Sequence, residues 1–283
     1  MPASFEKTSA PLRGLAALKR FVRTHVHTPQ RFSPCFDEHE TRFRSAVCAR
    51  RLDDGRSPVI CTSMTDYSLL GAANYVGEQL KRHPALFLVW FTTSMRSAVR
   101  VNRIRTALAI YRRRFPEHRF VFLCNEEEER AAFAGAGMTA VLCNSNAFVD
   151  ETVFQPIAGT ERIYDAVYNG SMSPQKRREL ARLVPHAAHI FRPVDNLSHA
   201  QSLALLGTMR QLMPTHDFLN KVDETGIEKL SRQEVNHVLA RSCTGLCLSA
   251  REGAMFASVE YLLAGVPVVS TPALGGRHLF GSP

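Results

Sequence analysis

The stretch Glu252-Gly253-Ala254-Met255-Phe256-Ala257-Ser258-Val259-Glu260-Tyr261-Leu262-Leu263-Ala264-Gly265, followed directly by Val266-Pro267-Val268-Val269-Ser270-Thr271, decides how this chain reads. Gly253 predicts a break into a helix that begins near Ala254, and Gly265 is a natural C-terminal stop. Phe256, Val259, Leu262 and Leu263 recur at helical intervals, so that face is expected to pack on a sheet. Residues 266–270 read as a short interior strand. A helix start leaves backbone N–H groups without acceptors in its own ladder, which makes residues 253–256 an expected anion site of phosphate size. Glu252 and Glu260 stand eight positions apart. On a helix that spacing returns to within about 80° of the starting direction and climbs about 12 Å, so both can line one elongated cleft without sharing a proton or a metal. An amphipathic helix with two solvated glutamates has the same spacing, and from spacing alone both readings stand.

Outward from this stretch, strand and helix alternate. In the first half, strands are expected at 58–62, 85–91, 119–124 and 137–143, with helices at 67–82, 95–115 and 126–134. The last of these carries acids at its positive end, where the macrodipole favours them. A hinge is expected at 147–161, which contains Pro156 and Gly159. Beyond it come a strand at 163–168, a helix at 175–183, a strand at 189–192, a helix near 232–241 and a strand at 246–249. The pattern predicts an α/β protein of two Rossmann-like halves with mostly parallel sheets, divided as 1–155 and 156–283.

The motif Glu-Gly…Glu-x-Leu-x-Ala-Gly-x-Pro-Val-Val-Ser-Thr, followed by Gly275-Gly276, resembles the donor-sugar signature of the retaining nucleotide-sugar glycosyltransferases of family 4, which have the GT-B architecture. About ninety residues earlier, residues 164–177, Tyr-Asp-Ala-Val-Tyr-Asn-Gly-Ser-Met-Ser-Pro-Gln-Lys-Arg, resemble the strand, glycine turn and lysine that open the C-terminal domain of that family. The resemblance covers residues 160–280; the first half agrees only in position and α/β pattern. It implies a hexosyltransferase-type enzyme of polysaccharide biosynthesis, with 1–155 as the acceptor-side domain and 156–283 as the nucleotide-sugar domain. Lys176 is implied at the diphosphate and the N–H groups of Gly253, Ala254, Met255 and Phe256 at phosphate or sugar hydroxyls. Glu252 is implied at the transferred sugar, as the catalytic position, and Glu260 at the ribose diol, where a carboxylate accepts two hydrogen bonds at once.

Three departures from the family pattern stand out. Ser171 and Met172 follow Gly170 where the family has an arginine, so either Arg177 substitutes or diphosphate binding is weaker. Arg177 also stands where the family has a glycine after the lysine. The sequence ends at Pro283, shortly after Gly275-Gly276, where the family continues, so the second half is expected to be shortened and its catalytic competence with it. A non-catalytic nucleotide-sugar-binding module is therefore one alternative.

Composition fits a globular chain of 283 residues, with 45% hydrophobic and 22% charged. No apolar run approaches the ~20 residues of a membrane span, and no signal-peptide segment opens the chain. The expected placement is cytoplasmic. Cysteines at 35, 48, 61, 124, 143, 243 and 247 lack any Cys-x-x-Cys pair, so reduced, buried thiols are expected and no metal site. No cofactor beyond the donor substrate is expected.

The net charge of +9 is unevenly placed. Residues 96–119 hold eight arginines against Glu117 alone, with Val101, Ile104, Leu108, Tyr111 and Phe115 on one helical stripe and Arg100, Arg103, Arg105, Arg112, Arg113 and Arg114 largely around the rest. A solvated basic face on a sheet-packing helix accounts for this, and so does contact with an anionic surface. The second reading makes a peripheral inner-membrane contact or a nucleic-acid binder the remaining alternative. No nucleic-acid recognition motif appears. Asp66, Asn125 and the histidines are the first-half candidates for acceptor contact.

Overall fold

The computed structural model describes residues 41–43, 47–51, 58–64, 69–192, 198–223 and 226–280. The chain divides into two compact units. One is Met1–Trp90, Ser97–Phe122 and Phe133–Thr139; the other is Phe91–Arg96, Leu123–Ala132 and Ala140–Pro283.

The N-terminal sheet runs in the order β1 (Thr41–Phe43), β2 (Val47–Arg51), β3 (Val59–Met64), β4 (Ala85–Phe91), β5 (His118–Cys124), β6 (Ala140–Leu142). β1 and β2 form an antiparallel edge on β3, and β3 to β6 make the parallel part. Ala85, Phe87, Val89 and Phe91 of β4 are fully buried while the residues between them are half-buried, as expected of a strand covered on both faces. The helix expected at 67–82 is largely a series of turns. Its α-helical part, α1, is only Ala73–Val76, and residues 67–68 lie outside the described region. Gly71 takes a left-handed φ of 56°, and the Thr62 hydroxyl accepts the Ala72 N–H, so the helix can begin only beyond them. After Gly77 the backbone closes i→i+3 bonds, such as His83 N–H to Leu80 C=O. α2 (Ala98–Arg114) buries Val101, Ile104, Leu108 and Tyr111, the expected stripe, and is capped by the Ser97 hydroxyl. Arg103, Arg105, Arg112, Arg113 and Arg114 are exposed. α3 (Glu127–Gly135) opens with three glutamates.

The C-terminal sheet is parallel throughout, in the order β13-β12-β7-β8-β9. Its strands are β7 (Ala166–Ser171), β8 (Ala187–Arg192), β9 (Asp217–Phe218), β12 (Gly245–Cys247) and β13 (Val268–Ser270), with a small hairpin of β10 (Val222–Asp223) and β11 (Gly226–Ile227). α4 (His199–Leu212) and α5 (Arg232–Ala240) each start in a capping box, Ser198 with Gln201 and Ser231 with Glu234. The core gathers Val167, Tyr168, Ile190, Leu246 and Tyr261 among others.

Two expectations in this half are corrected. Residues 175–183 form two 3₁₀ turns, Pro174–Lys176 and Arg178–Leu183, because Arg177 between them is left-handed at φ 47°. The helix expected from Ala254, α6, runs Phe256–Leu263, because Met255 is left-handed at φ 63°. This later start turns a different face inward. Ala257, Ser258 and Tyr261 are buried, whereas Phe256 and Leu262 are exposed. Tyr261 sets that orientation. Its ring lies so close over Gly245 that a Cβ there would come within 2.2 Å, and its hydroxyl accepts the Asn169 N–H at 2.7 Å. Gly265, at φ 72°, ends the helix in a Schellman motif, with Val266 N–H on Tyr261 C=O and Gly265 N–H on Leu262 C=O.

Candidate functional site

Strand order locates the site before any side chain is considered. From β7 the chain adds β8 and β9 on one side, then returns to add β12 and β13 on the other. Connections leaving the carboxyl ends of β7 and β12 therefore diverge, and the crevice between them is the switch point at which doubly wound sheets bind ligands. The turn carrying Lys176 follows β7, and the turn carrying Glu252 and Gly253 follows β12.

At this point Lys176 Nζ donates to Glu252 Oε1, with only 12% and 9% of the two side chains exposed. The backbones holding them are pinned. The Tyr168 hydroxyl donates to the Lys176 carbonyl at 2.5 Å, and the Ala250 N–H to Gln175 C=O at 3.3 Å. Glu252 gives its N–H to Leu274 C=O at 2.9 Å and takes the Ser94 N–H on its carbonyl at 3.0 Å. The expected diphosphate lysine and sugar carboxylate are thus brought together as an ion pair.

Glu260, on α6, accepts from the Asn169 side-chain amide at 3.0 Å. Burial raises its carboxyl to about 7, against the lowering effect of Asn169 and the more distant Arg232 and Arg192. Asn169 lies on β7 two residues before Ser171, so the end of one strand serves both Glu260 and the Lys176 turn.

The other basic groups are committed to the frame. Arg177 donates from Nε to Leu248 C=O at 2.7 Å and from Nη2 to Thr271 Oγ1 at 2.6 Å, so it braces the ends of β12 and β13. Arg277, absent from the sequence-based site, is 5% exposed; it donates to the carbonyls of Ser249 and Thr271. Burial lowers its pKa. Arg178, also missed, is buried with its guanidinium 4.5 Å above the Tyr168 ring, and donates to Gly170 C=O at 2.8 Å and His189 Nδ1 at 2.8 Å. His216 Nε2 meets Val184 C=O, so its Nδ1 accepts from His189 and leaves His189 Nδ1 free to accept from Arg178. Burial first, then Arg178 and His216, lowers His189 to about 2. Lys176, Arg177, Arg178 and Arg277 stand against Glu252 and Glu260, so this end of the sheet is net positive.

Beyond Glu252 the turn is held by glycines. A Cβ on Gly275, at φ 114°, would lie 1.9 Å from Glu252 O, and one on Gly253 would lie 2.4 Å from Phe91 O. Gly276 N–H reaches Gly253 O at 2.6 Å. The Ala254 carbonyl accepts from the Asn146 amide at 3.0 Å. Among the described residues, the N–H groups of Gly253, Ala254 and Met255 have no acceptor, a row of buried donors ahead of α6. The two glycines at 275 and 276 were legible as a motif; their role as a clamp on Glu252 was not.

Asn125 is buried and bonded through both its amide nitrogen and its amide oxygen. Its amide donates to Phe91 C=O at 3.3 Å, and its carbonyl oxygen accepts from Ser145 N–H and Oγ at 2.9 Å each, so it fastens the loops around it. Asp66 lies outside the described residues. Cys124 and Cys247 are buried thiols as expected, but Cys243 is exposed. Among the described residues, no cluster of His, Cys, Asp or Glu could hold a metal, and no helix is long and apolar enough to cross a membrane.

Two Rossmann-like layers with a switch-point site of this kind define a GT-B-like α/β fold. The fold is similar to that of a glycine-to-arginine mutant of S. aureus TarM in complex with fondaparinux, alpha-GlcNAc-glycerol and UDP, at TM-score 0.51 and 13% identity over 75% of this chain and 42% of that one. It is also similar to trehalose-6-phosphate from E. coli bound with UDP-2-fluoro glucose, at TM-score 0.52 and 13% identity over 81% of this chain and 61% of that one. The chain therefore spans less than two thirds of the length of either structure. No protein-family model and no curated protein matches the sequence.

Proposed function

We propose that this chain is a glycosyltransferase of the hexosyltransferase type, moving a sugar with retention from a nucleotide-diphosphate sugar to a saccharide or lipid-linked acceptor. The observation that carries this reading is the meeting of Lys176, Glu252 and the unpaired 253–255 amides at the switch point of a parallel sheet. The two similar folds, solved in complex with UDP and with UDP-2-fluoro glucose, support the class of donor.

In this reading Lys176 and the amide row neutralise the diphosphate, Glu252 holds the transferred sugar, and Glu260 holds the ribose diol. Arg177 and Arg277 act at one remove, because both are spent on the carbonyls and hydroxyl that frame the strand ends. The bond between the anomeric carbon and the diphosphate oxygen breaks as the acceptor hydroxyl attacks from the same face, and the acceptor proton passes to the departing diphosphate. Fixed dipoles and a buried cation suit this step because they meet charge that grows on the leaving oxygens.

A panel of nucleotide sugars screened by thermal shift identifies the donor, since a ligand bound only by the native state raises the melting point. In calorimetry with that donor, Glu260→Ala is expected to weaken binding about tenfold, on the scale of a lost charge-assisted hydrogen bond; unchanged affinity refutes the ribose role. Transfer is expected to survive a strong chelator, with Lys176 and the amides supplying the neutralisation. Loss of activity restored by manganese would overturn that.

A further inference from the structure

Resting on the donor-site reading above, we infer that Glu252 is a specificity gate: by pairing with Lys176 in the free protein, it disfavours diphosphates that carry no sugar and yields only to a ligand whose sugar hydroxyls replace the lysine.

The geometry makes the two states exclusive. Both side chains are nearly buried, and both backbones are fixed, Lys176 through its carbonyl on Tyr168 and Glu252 through its N–H on Leu274 and its carbonyl on Ser94. Gly275 closes against the Glu252 carbonyl, so that backbone cannot slide away. Only side-chain rotation is left to separate the pair. When a diphosphate takes the ammonium, the carboxylate loses its cation and faces a new anion in a site with little water. A buried charge left in that state is strongly unfavourable. Inorganic pyrophosphate offers the carboxylate no hydroxyl, and a nucleoside diphosphate spends its ribose hydroxyls on Glu260, leaving its phosphate end with none for Glu252. A hexose offers hydroxyls, which a carboxylate accepts in pairs. The pair therefore taxes every diphosphate equally, and only the sugar-bearing one repays Glu252. After transfer, the sugar-free product meets the tax again, and its release is favoured.

The predicted signature is an inversion of sign at one residue. Glu252→Gln keeps the shape and one acceptor oxygen but removes the charge. By calorimetry it is expected to bind inorganic pyrophosphate about tenfold more tightly than wild type and to bind the donor identified by the panel more weakly. Lys176→Ala is expected to weaken both. Equal pyrophosphate affinity in wild type and Glu252→Gln overturns the gate while leaving the donor site intact. If neither pyrophosphate nor any nucleotide sugar binds wild type or Glu252→Gln, the donor-site reading falls and the gate with it. A second measurement needs no variant. Amine acylation of the native protein, read by peptide mass spectrometry, is expected to label Lys176 far more slowly than the exposed Lys221, and pyrophosphate is not expected to accelerate it; labelling of Lys176 at the rate of Lys221 overturns the resting pair.

Discussion

Glu252 and Glu260 lie on one short stretch of chain, yet the fold treats them in opposite ways. Glu252 sits in a glycine-clamped turn with a cation against it, whereas Glu260 sits on the body of α6 and accepts from the neutral amide of Asn169. Removing a carboxylate from water costs free energy in both places. Beside Lys176 the cost is offset by the opposite charge; beside Asn169 it is met by a raised proton affinity, to about 7. The contrast teaches that a sequence spacing which places two acids near one crevice says nothing about their charge state, because that depends on partners supplied by β7.

The largest effect is expected on the paired side. Lys176→Ala leaves Glu252 buried without a cation and should lower stability by about 3 kcal/mol, seen in urea unfolding with an unchanged slope. If Lys176→Ala is as stable as wild type, Glu252 has water or another donor, and the contrast between the two acids dissolves.

Next comes the unpaired side, which pH can test. The folded-state carboxyl of Glu260 stands above its ordinary value of 4.5, so the folded protein holds that proton more tightly than the unfolded chain does. This contribution is fully present below pH 4.5, declines as pH rises to about 7, and is absent above. Glu260→Gln should match wild type near pH 4.5 and exceed it by roughly 2 kcal/mol near pH 8. Glu129 is raised to about 7 in the same direction, again chiefly by burial, so the Glu260→Gln variant keeps the part of the slope that Glu129 supplies. A variant whose stability follows wild type at every pH would show that Glu260 is solvated.

The smallest effect is expected far from both acids. The exposed arginines of α2 sharpen the comparison by showing charge that the fold does not bury. Reversing Arg112, Arg113 and Arg114 to glutamate should reduce partition onto anionic vesicles severalfold in a sedimentation assay. Arg114 also pairs with Glu78. Thermal unfolding should move little, since surface pairs contribute little. Unchanged partition would assign the face to solvation alone.

Much of the fold was legible because it rests on local pattern. β4 lies at 85–91, where the apolar run ends at polar residues, and the α2 stripe is buried as its period requires. Elements that failed did so at backbone positions that periodicity does not report. Met255 and Arg177 adopt left-handed conformations, which are uncommon for such side chains and carry no strong sequence signal. At Arg177 the expected helix gave way to two 3₁₀ turns, and at Met255 the helix start moved and the buried face became Ala257 and Tyr261 rather than Phe256 and Leu262.

What the sequence determined by itself was the alternation of strand and helix, the glycines that let backbones approach, and the choice of the lysine and two glutamates as candidates. Those follow from residue type and local spacing, which act over one turn of helix or one strand. Tertiary structure alone decided that Lys176 and Glu252, 76 positions apart, neutralise each other, that Asn169 stands beside Glu260, and that Arg277 braces the frame. The reason is physical. Desolvation and charge pairing depend on distances set by strand order, and strand order is written across the whole sheet rather than in any one segment.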